Sequence, residues 1–574
     1  MARVSSDTAT EPKPRQADAS QPWRRRLRGF GYAARPQPSV TERLVPPFPE
    51  PSGRVWAALG VGPARAAKLA KASGWIGPIL VALFAGLMRF WHLGQPRAVI
   101  FDETYYAKDA WSLLKFGYEG NWPKNANDKI LLDPQQIPLS HEASYVVHPP
   151  VGKWIIASGE WLFGLNPFGW RFAMAVLGTL SILMLCRIGR RLFRSTLLGC
   201  LAGGLMAVDG LHFVMSRAAL LDLVVMFWVL AAFGCLLVDR DKTRARLAAA
   251  LPRSPDDGRA RPDATVAQRL GLGWRPWRIA AGVCLGLACA TKWNGLYILA
   301  AFGLLTVLWD VGARRTAGAG RAYRSVLRRD TAPAFASLVP VAVVVYVASW
   351  AGWFASSNGY FRNWADGRAT SYGWIPGPLR SLWHYHSQVY DFHVGLTSGH
   401  TYQSNPWSWL ILGRPVSYYW DDPKPGTGSC PSDASQNCAR EVLALGTPLL
   451  WWLACAALVY VVWRWAMRRD WRAGAIVCGV AAGWLPWLMY QERTIFYFYA
   501  VVFVPFLCLA VAMLLAAIAG PPSATERRRM LGVVISGVLV LLIVWNFIYF
   551  FPIYTGQTIP RDAWQARMWL GSWV

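Results

Sequence analysis

Charged residues are scarce in this chain of 574 residues. Only 16% are Asp, Glu, Lys or Arg, and the acidic group is the smaller, with 32 Asp and Glu against 59 Lys and Arg. In soluble domains about a quarter of the residues are charged, so this composition argues against a soluble enzyme. The hydrophobic fraction of 54% excludes a chain that is disordered throughout.

Cysteine and histidine are also rare. The 10 cysteines lie mostly within apolar runs and form neither CxxC pairs nor a Cys/His zinc pattern. Of the eight histidines, four fall between His384 and His400, at spacings that match no standard zinc site. We therefore expect no metal to be bound by the protein and no divalent metal or other cofactor to be required.

The chain is rich in apolar runs of membrane-spanning length. About 20 apolar residues cross the ~30 Å hydrocarbon layer of a bilayer. We predict an all-α polytopic membrane protein with about 11 transmembrane helices. The predicted spans are 75–94, 171–189, 197–215, 219–238, 276–292, 294–311, 334–353, 447–466, 473–490, 495–518 and 531–551.

One further run, 151–165, is short and contains Lys153 and Glu160. If it spanned the membrane, the Arg-rich turn that follows the next span would face outward, against the positive-inside rule. We therefore expect an amphipathic helix that lies at the membrane interface.

Basic residues predict the orientation. Most Lys and Arg fall on the same side of the predicted spans as residues 1–74, which places the N-terminus in the cytoplasm and the C-terminus outside. This asymmetry explains the net charge of +27 without nucleic acid as a partner. Residues 1–74 are polar, basic and Pro-rich, which predicts a disordered cytoplasmic tail. The two long outer segments, 95–170 and 354–446, are the expected location of function.

Cys430 and Cys438 lie eight residues apart in the second outer segment. An oxidising compartment favours a disulfide between them, and two free surface thiols are the alternative.

Paired carboxylates follow the first span at Asp102 and Glu103. Such groups are costly to place close to a bilayer, and one of them could act as a general base. A solvated pair of loop acids is the alternative.

Four basic residues mark the outer ends of different spans: Arg171, Arg217, Lys292 and Arg493. Each could anchor its own helix by snorkelling. If they converge near Asp102, they form an anion site for a lipid phosphate.

The second outer segment mixes histidines with aromatic residues. A sugar-binding platform and a packed aromatic loop are both open interpretations. The residues concerned are His384, His386, Tyr390, His393, His400, Tyr402 and Trp407.

Five short motifs give the chain a resemblance to a known family, the protein O-mannosyltransferases, which are GT-C membrane glycosyltransferases of family 39. The likeness is to the actinobacterial members, and the motifs occur in family order across 75–574. They are Phe101-Asp102-Glu103, His148-Pro149-Pro150-Val151-Gly152-Lys153, Ser216-Arg217-Ala218-Ala219-Leu220-Leu221-Asp222, Thr291-Lys292-Trp293-Asn294-Gly295-Leu296-Tyr297 and His400-Thr401-Tyr402-Gln403-Ser404-Asn405-Pro406-Trp407-Ser408-Trp409.

The resemblance implies a GT-C transmembrane catalytic domain over 75–574, with interfacial helices in the first outer loop. It implies transfer of mannose, with inversion, from polyprenyl-phosphate mannose to Ser/Thr hydroxyls of exported proteins, on the outer face of a bacterial plasma membrane. The protein export machinery is a candidate partner. The fungal and animal members carry a β-trefoil domain, for which 354–446 is too short.

The resemblance also implies residue roles. Asp102 matches the catalytic base, and Glu103 matches its partner acid. Arg171, Lys292 and Arg493 are the expected ligands of the donor phosphate. His148, Lys153, Arg217 and Asp222 are expected to support the site or bind substrate, as are His386, His393, His400, Tyr402 and Trp407 in the second outer loop.

Two alternatives stay open. A related GT-C transferase could move another lipid-linked sugar to a lipid or glycan. A transporter would instead place its ionisable residues near the middle of the membrane, where Asp209 is the main example in this sequence.

Overall fold

The structure is a computed structural model that describes residues 38–48, 60, 62–132, 139–521 and 524–574. Apolar helices dominate these residues. The α-helices are α1 Val40–Leu44, α2 Pro63–Phe90, α3 Glu103–Phe116, α4 Ala126–Leu132, α5 Val151–Phe163, α6 Pro167–Phe193, α7 Thr196–Ala207, α8 Gly210–Met215, α9 Leu221–Ala250, α10 Ala264–Arg269, α11 Pro276–Cys289, α12 Gly295–Ala317, α13 Ala322–Arg329, α14 Thr331–Ser349, α15 Ala351–Ala355, α16 Gly377–Gly395, α17 Pro448–Arg468, α18 Trp471–Trp484, α19 Val504–Ala519, α20 Glu526–Thr555 and α21 Arg561–Gln565. Short 3₁₀ helices cover Pro406–Ser408, Leu485–Met489, Tyr497–Phe503 and Gly571–Trp573.

Nine helices of the described chain are long and apolar enough to cross a membrane. They are Ala72–Phe90, Pro167–Phe193, Leu221–Ala250, Gly295–Ala317, Thr331–Ser349, Pro448–Arg468, Trp471–Met489, Tyr497–Ala519 and Glu526–Thr555. Two shorter apolar helices, α7 and α11, coincide with the two remaining predicted spans. The predicted all-α polytopic membrane fold is therefore confirmed.

The helices run back and forth between two ends of the bundle. We call one end the loop face, which carries residues 91–132, 139–166, 350–447 and 556–574. The other end we call the basic face, and it carries the connections 194–195, 251–275, 318–330, 469–470, 520–521 and 524–525.

Small residues let the helices approach closely. At Gly199 of α7, an added Cβ would lie 2.3 Å from the Cys186 carbonyl oxygen of α6. At Gly159 of α5, an added Cβ would lie 2.3 Å from the Gly169 carbonyl oxygen, also on α6. Glycine at such contacts is typical of membrane helix packing, where dispersion forces replace the hydrophobic effect. These contacts fix α5 and α7 against α6.

The predicted span 197–215 is wrong as one continuous helix. The chain breaks after Ala207, and Asp209 caps a new helix by accepting a hydrogen bond of 2.8 Å from the His212 N–H. The Asp209-Gly210 pair is a helix-start signal that the hydropathy of the run masks.

The disorder predicted for 1–74 is wrong where that segment is described. The Ser39 side chain and Glu42 form a capping box around α1, whose Val40 and Leu44 are buried in a cluster with Leu247 of α9. Helix α2, which contains the first membrane-spanning stretch Ala72–Phe90, begins at Pro63. Residues 1–37, 49–59 and 61 lie outside the described residues.

A small antiparallel sheet was missed by the all-α prediction. Strand β1, Val416–Asp421, pairs with β2, Cys438–Ala444, which pairs with β3, Thr558–Pro560. Burial alternates over the first four residues of β1, a period-two signal that a hydropathy window of helix length averages out.

The expected interfacial helix is α5. Its 13 residues span about 20 Å at 1.5 Å per residue, which is too short to cross the hydrocarbon layer. One side packs on α3 and α6, while Trp161 and Leu162 are exposed.

Candidate active site on the loop face

Asp102 is the N-cap residue of α3, but its side chain does not cap the helix. Its side chain accepts no capping hydrogen bond, although its backbone carbonyl accepts from Tyr105 and Tyr106. Burial raises the pKa of Asp102 to about 6, and Asp222 adds to this rise, while Lys292 opposes it. A carboxylate with a pKa near neutrality is suited to accept a proton from a hydroxyl.

Glu103, the next residue, is fully engaged inside the protein. Its carboxylate accepts hydrogen bonds from Arg171 Nε at 2.8 Å and Nη2 at 2.9 Å. Backbone N–H groups of Ala219 and Ile100 each donate at 3.0 Å. Both Glu103 and Arg171 are 0% exposed. Glu103 therefore fixes α3 against α6 and the turn before α9, and it does not face a substrate.

The donor-phosphate role predicted for Arg171 is wrong for the same reason. Besides Glu103, its guanidinium donates to the carbonyl oxygens of Pro96 at 3.0 Å and Ala98 at 2.9 Å. Nη1 also donates to the Leu93 carbonyl oxygen at 3.4 Å, so each of the five guanidinium N–H groups has a partner and none remains for a ligand.

Lys292 forms a buried ion pair with Asp222. Its Nζ lies 2.8 and 3.0 Å from the two carboxylate oxygens and 4.3 Å from the centre of the Tyr499 ring. Nearby Asp222 and Tyr499 outweigh burial and raise the pKa of Lys292, so the ammonium group is charged. The pair joins α9 to the turn between α11 and α12 and presents a cation beside Asp102.

A cavity of about 790 Å³ opens next to this ion pair. Its lining combines a few polar groups with apolar and aromatic side chains from α12, α14 and α16. The lining residues are His148, Cys289, Lys292, Trp293, Asn294, Leu296, Tyr297, Leu299, Ala342, Val343, Tyr346, Trp383, His386, Ser387, Tyr390, His393, Val394, Trp487, Tyr490 and Arg493. Such a volume suits a ligand with a long apolar part and a polar head.

Arg493 lines the cavity with unused hydrogen-bonding capacity. Its Nη2 donates to His393 Nδ1 at 2.9 Å, whereas its Nε is buried with no hydrogen-bond partner in the part of the chain that the structure describes. His393 in turn donates from Nε2 to the Val147 carbonyl oxygen at 3.0 Å, which leaves Nδ1 as the acceptor for Arg493. Burial, with Arg493 adding, lowers the pKa of His393 to about 4, so the imidazole is neutral. The neutral His393 ring therefore orients the Arg493 guanidinium group without cancelling its positive charge.

Comparison with known proteins identifies the family. The family model for dolichyl-phosphate-mannose-protein mannosyltransferase matches residues 79–251 and 259–327, and the model for the C-terminal four TMM region of protein-O-mannosyltransferase matches 378–573. The polyprenol-phosphate-mannose–protein mannosyltransferase of Mycolicibacterium smegmatis is 41% identical, over 88% of this chain and 94% of the relative. The chain belongs to the protein O-mannosyltransferase family.

Further relatives agree. The proteins of the same name from Mycobacterium tuberculosis and Corynebacterium glutamicum are 40% and 34% identical, over 87% and 86% of this chain and 92% of each relative. The S. cerevisiae protein O-mannosyltransferase Pmt1-Pmt2 complex bound to the sugar donor has the same fold, with a TM-score of 0.63 at 15% identity. That match covers 87% of this chain and 92% of the matched chain. The predicted GT-C fold is thereby confirmed.

Two other predicted histidines of this protein O-mannosyltransferase also lie at the cavity. His148 stacks on His393 with 5.5 Å between ring centres, and burial lowers its pKa well below the usual value. His386 bonds to the Tyr346 hydroxyl and to the Leu382 carbonyl oxygen. Both rings line the wall of the cavity.

Lys153 and Arg217 support the loop face at a distance from the cavity. Lys153 is buried in contact with Glu119 and 3.9 Å from Asp109. Arg217 donates to carbonyl oxygens at the end of α2, including Arg89 at 2.8 Å. The supporting role predicted for both residues fits these contacts.

The remaining residues of the last motif do not line the cavity. His400 packs edge-on against Phe496 at 5.0 Å, with Tyr402 at 5.9 Å. Trp407 is 61% exposed and donates to Gln491 Oε1 at 3.2 Å. The substrate-binding role predicted for these three residues stays a prediction.

Several cavity residues were not singled out from the sequence. Tyr346 accepts from Trp293 Nε1 at 2.9 Å and bonds to His386, while Tyr499, which does not line the cavity, lies under Lys292. Asn294 has a buried Oδ1 for which the described residues offer no hydrogen-bond donor. Asn294 stands within the Lys292–Tyr297 motif, which was the available signal; nothing in the sequence alone marked the tyrosines.

The disulfide predicted between Cys430 and Cys438 is confirmed. It closes the loop between β1 and β2 on the loop face. Among the described residues, no group of three or more His, Cys, Asp or Glu side chains is arranged to hold a metal ion. The absence of a metal requirement stays a prediction.

Proposed function

We propose that this chain transfers mannose from polyprenyl-phosphate mannose to Ser or Thr hydroxyls of proteins, with Asp102 as general base. The observation that carries the proposal is the electrostatic pairing of a partly buried Asp102, whose side chain makes no capping hydrogen bond, with Lys292, which lines the apolar cavity. The names of the relatives point to the same donor and acceptor class.

The cavity matches the three parts of such a donor. Its apolar walls on α12 and α14 suit the polyprenyl chain. Lys292 and the unpartnered Nε of Arg493 supply cationic donors for the phosphate. The free Oδ1 of Asn294 can accept a hydrogen bond from a sugar hydroxyl.

The reaction balances with one carboxylate. The acceptor oxygen forms a bond to the anomeric carbon as Asp102 takes the hydroxyl proton. The bond between that carbon and the phosphate oxygen breaks, and the phosphate leaves with the electron pair. Direct displacement inverts the anomeric carbon. Lys292 and Arg493 stabilise the negative charge on the leaving phosphate, and the base contributes about 10²- to 10⁴-fold.

We further place the loop face outside a bacterial plasma membrane, because the opposite face carries the larger share of the basic turns. Exported, Ser/Thr-rich proteins would then be the acceptors, with the export machinery as a partner. No metal is required in this proposal, since the leaving group is a phosphate monoester held by two cations.

The test is a transfer assay with purified protein, polyprenyl-phosphate mannose and a Ser/Thr-rich peptide. We expect the peptide to gain one hexose by mass, with equal rates in EDTA and in added Mg²⁺. A sugar found on a lipid or glycan acceptor, with the peptide unmodified, would favour the other GT-C chemistry. Loss of transfer in EDTA with recovery in Mg²⁺ would refute metal independence.

A further inference from the structure

Four arginines crowd around few carboxylates on the basic face, far from the cavity. Arg191 and Arg194, at the end of α6, donate to Asp241 Oδ2 at 2.9 and 3.2 Å. Arg240 donates to Asp241 Oδ1 at 3.3 Å. Both oxygens of Asp241 are therefore in use.

Arg244, one turn further along α9, has no acceptor. It is 8% exposed, and its Nε and Nη1 are buried without a hydrogen-bond partner in the described chain. A buried, unpaired charged donor is costly, and such groups in proteins normally have a partner. A partner that carries negative charge would both accept from these donors and compensate the guanidinium charge.

The other nearby carboxylates cannot serve. Arg275 occupies Asp310 through two hydrogen bonds of 2.6 and 3.1 Å, and Arg278 lies 3.6 Å from the same carboxylate. Asp239 is likewise held by Arg275 Nε, at 3.0 and 3.1 Å. Asp241 and Asp310 act on Arg244 electrostatically, but their oxygens are bonded to other arginines, and no hydrogen bond joins Arg244 Nε or Nη1 to a carboxylate of the described residues.

The depth of Arg244 suits a lipid headgroup. It lies 22 residues beyond Asp222 on α9, or about 33 Å along the helix axis, close to the thickness of the hydrocarbon layer. Lys242, on the same turn, lies over the partly exposed ring of Trp277 at 5.5 Å, and tryptophan is typical of the membrane interface. Arg191 and Arg194, which flank this site, remain partly exposed at the surface, and the Phe48 ring lies over Arg194 at 4.9 Å.

We propose that Arg244, together with Arg240 and Arg194, binds a phosphate group, as carried by the headgroup of an anionic phospholipid in the leaflet at the basic face. Arg240 stands one turn before Arg244 and is held by Trp471, whose ring centre is 3.3 Å from its guanidinium carbon. Guanidinium groups bind phosphate oxygens through paired N–H donors. This site lies at the opposite end of the bundle from Asp102 and does not depend on the transfer reaction.

Lipid binding to the full chain in detergent tests the proposal. The probes are phosphatidylglycerol, zwitterionic phosphatidylcholine and inorganic phosphate, each titrated while thermal unfolding and native mass are recorded. Arg244→Gln removes the unpaired donor. Arg328→Gln, on exposed α13 of the same face, removes an equal charge without touching the site.

We expect phosphatidylglycerol to raise Tm of the wild type and of Arg328→Gln, and to bind Arg244→Gln about tenfold more weakly. Phosphatidylcholine should not distinguish the three proteins. If inorganic phosphate reproduces the Arg244-dependent rise, the phosphate site stands and its ligand is a soluble anion. Should Arg244→Gln fail to fold, Arg244→Lys replaces it. This variant keeps the positive charge but loses the paired N–H donors of the guanidinium group. Equal binding of phosphatidylglycerol and phosphate by the wild type and the Arg244 variant would overturn the proposal.

Discussion

At the residue scale, adjacent acids acquire different roles from their surroundings. The pKa of Asp102 is raised mainly by burial, and its side chain makes no capping hydrogen bond. The Glu103 carboxylate, in contrast, accepts four hydrogen bonds. The sequence shows two acids after a membrane span. It cannot show which of the two carboxylates is bonded to other groups of the protein and which is left for the reaction. That distinction depends on Arg171, 68 residues away.

The pH profile should report Asp102. A base acts in its deprotonated form, and the pKa of Asp102 is raised to about 6. Activity should therefore be lost as pH falls through about 6 and be level above it. We expect kcat/KM to fall about tenfold per pH unit on the acid limb. A flat profile between about pH 5 and 8, with the protein folded throughout, would remove Asp102 as the base.

Arg493 should govern binding of the donor. Arg493→Ala removes the unpartnered Nε at the cavity. Loss of a charged hydrogen bond of about 1.5–3 kcal/mol should weaken donor binding by about 10- to 100-fold and leave acceptor KM unchanged. Arg368→Ala, an exposed arginine on the loop face, is the control. Equal donor affinity in wild type and Arg493→Ala would rule the role out.

At the element scale, the Glu103–Arg171 pair joins α3 to α6 and to the turn before α9. Glu103→Gln leaves the buried Arg171 charge uncompensated, so we expect a loss of about 3–5 kcal/mol in the free energy of unfolding. Glu492→Gln, at an exposed position, should unfold like the wild type.

Thermal unfolding in detergent is the measurement, and Glu103→Gln/Arg171→Met should recover part of the loss. An inactive Glu103→Gln protein with wild-type Tm would instead assign Glu103 to the chemistry.

Helix positions were predictable because each membrane span carries its own hydropathy signal. The break at Asp209 was not predicted, because the apolar run continues through the helix-start signal of Asp209-Gly210, and the capping contact to His212 is visible only in the structure. Strand β1 was missed because its partner β2 follows a disulfide-closed loop and β3 lies more than 100 residues further on. The period-two signal of β1 covers only four residues, so it is too short to stand out without knowledge of these partners.

At the scale of the whole molecule, the two faces differ in charge and in architecture. The loop face carries the cavity, the sheet and the disulfide, and the basic face carries smaller connections with clustered arginines. The disulfide is of the kind that persists in an oxidising compartment.

We therefore expect alkaline phosphatase fused after Val574 to be active outside the cell and the same reporter inserted at Gly258 to be inactive. The opposite pattern would invert the proposed orientation.

The central claim is that Asp102 is the base for sugar transfer from a lipid phosphate to a protein hydroxyl. The most direct measurement compares wild type and Asp102→Asn in the peptide transfer assay, with donor binding and Tm recorded for both. We predict that wild type adds one hexose, and that Asp102→Asn binds donor and folds normally but transfers at least about 10²-fold more slowly. Near-normal transfer by Asp102→Asn would contradict the account.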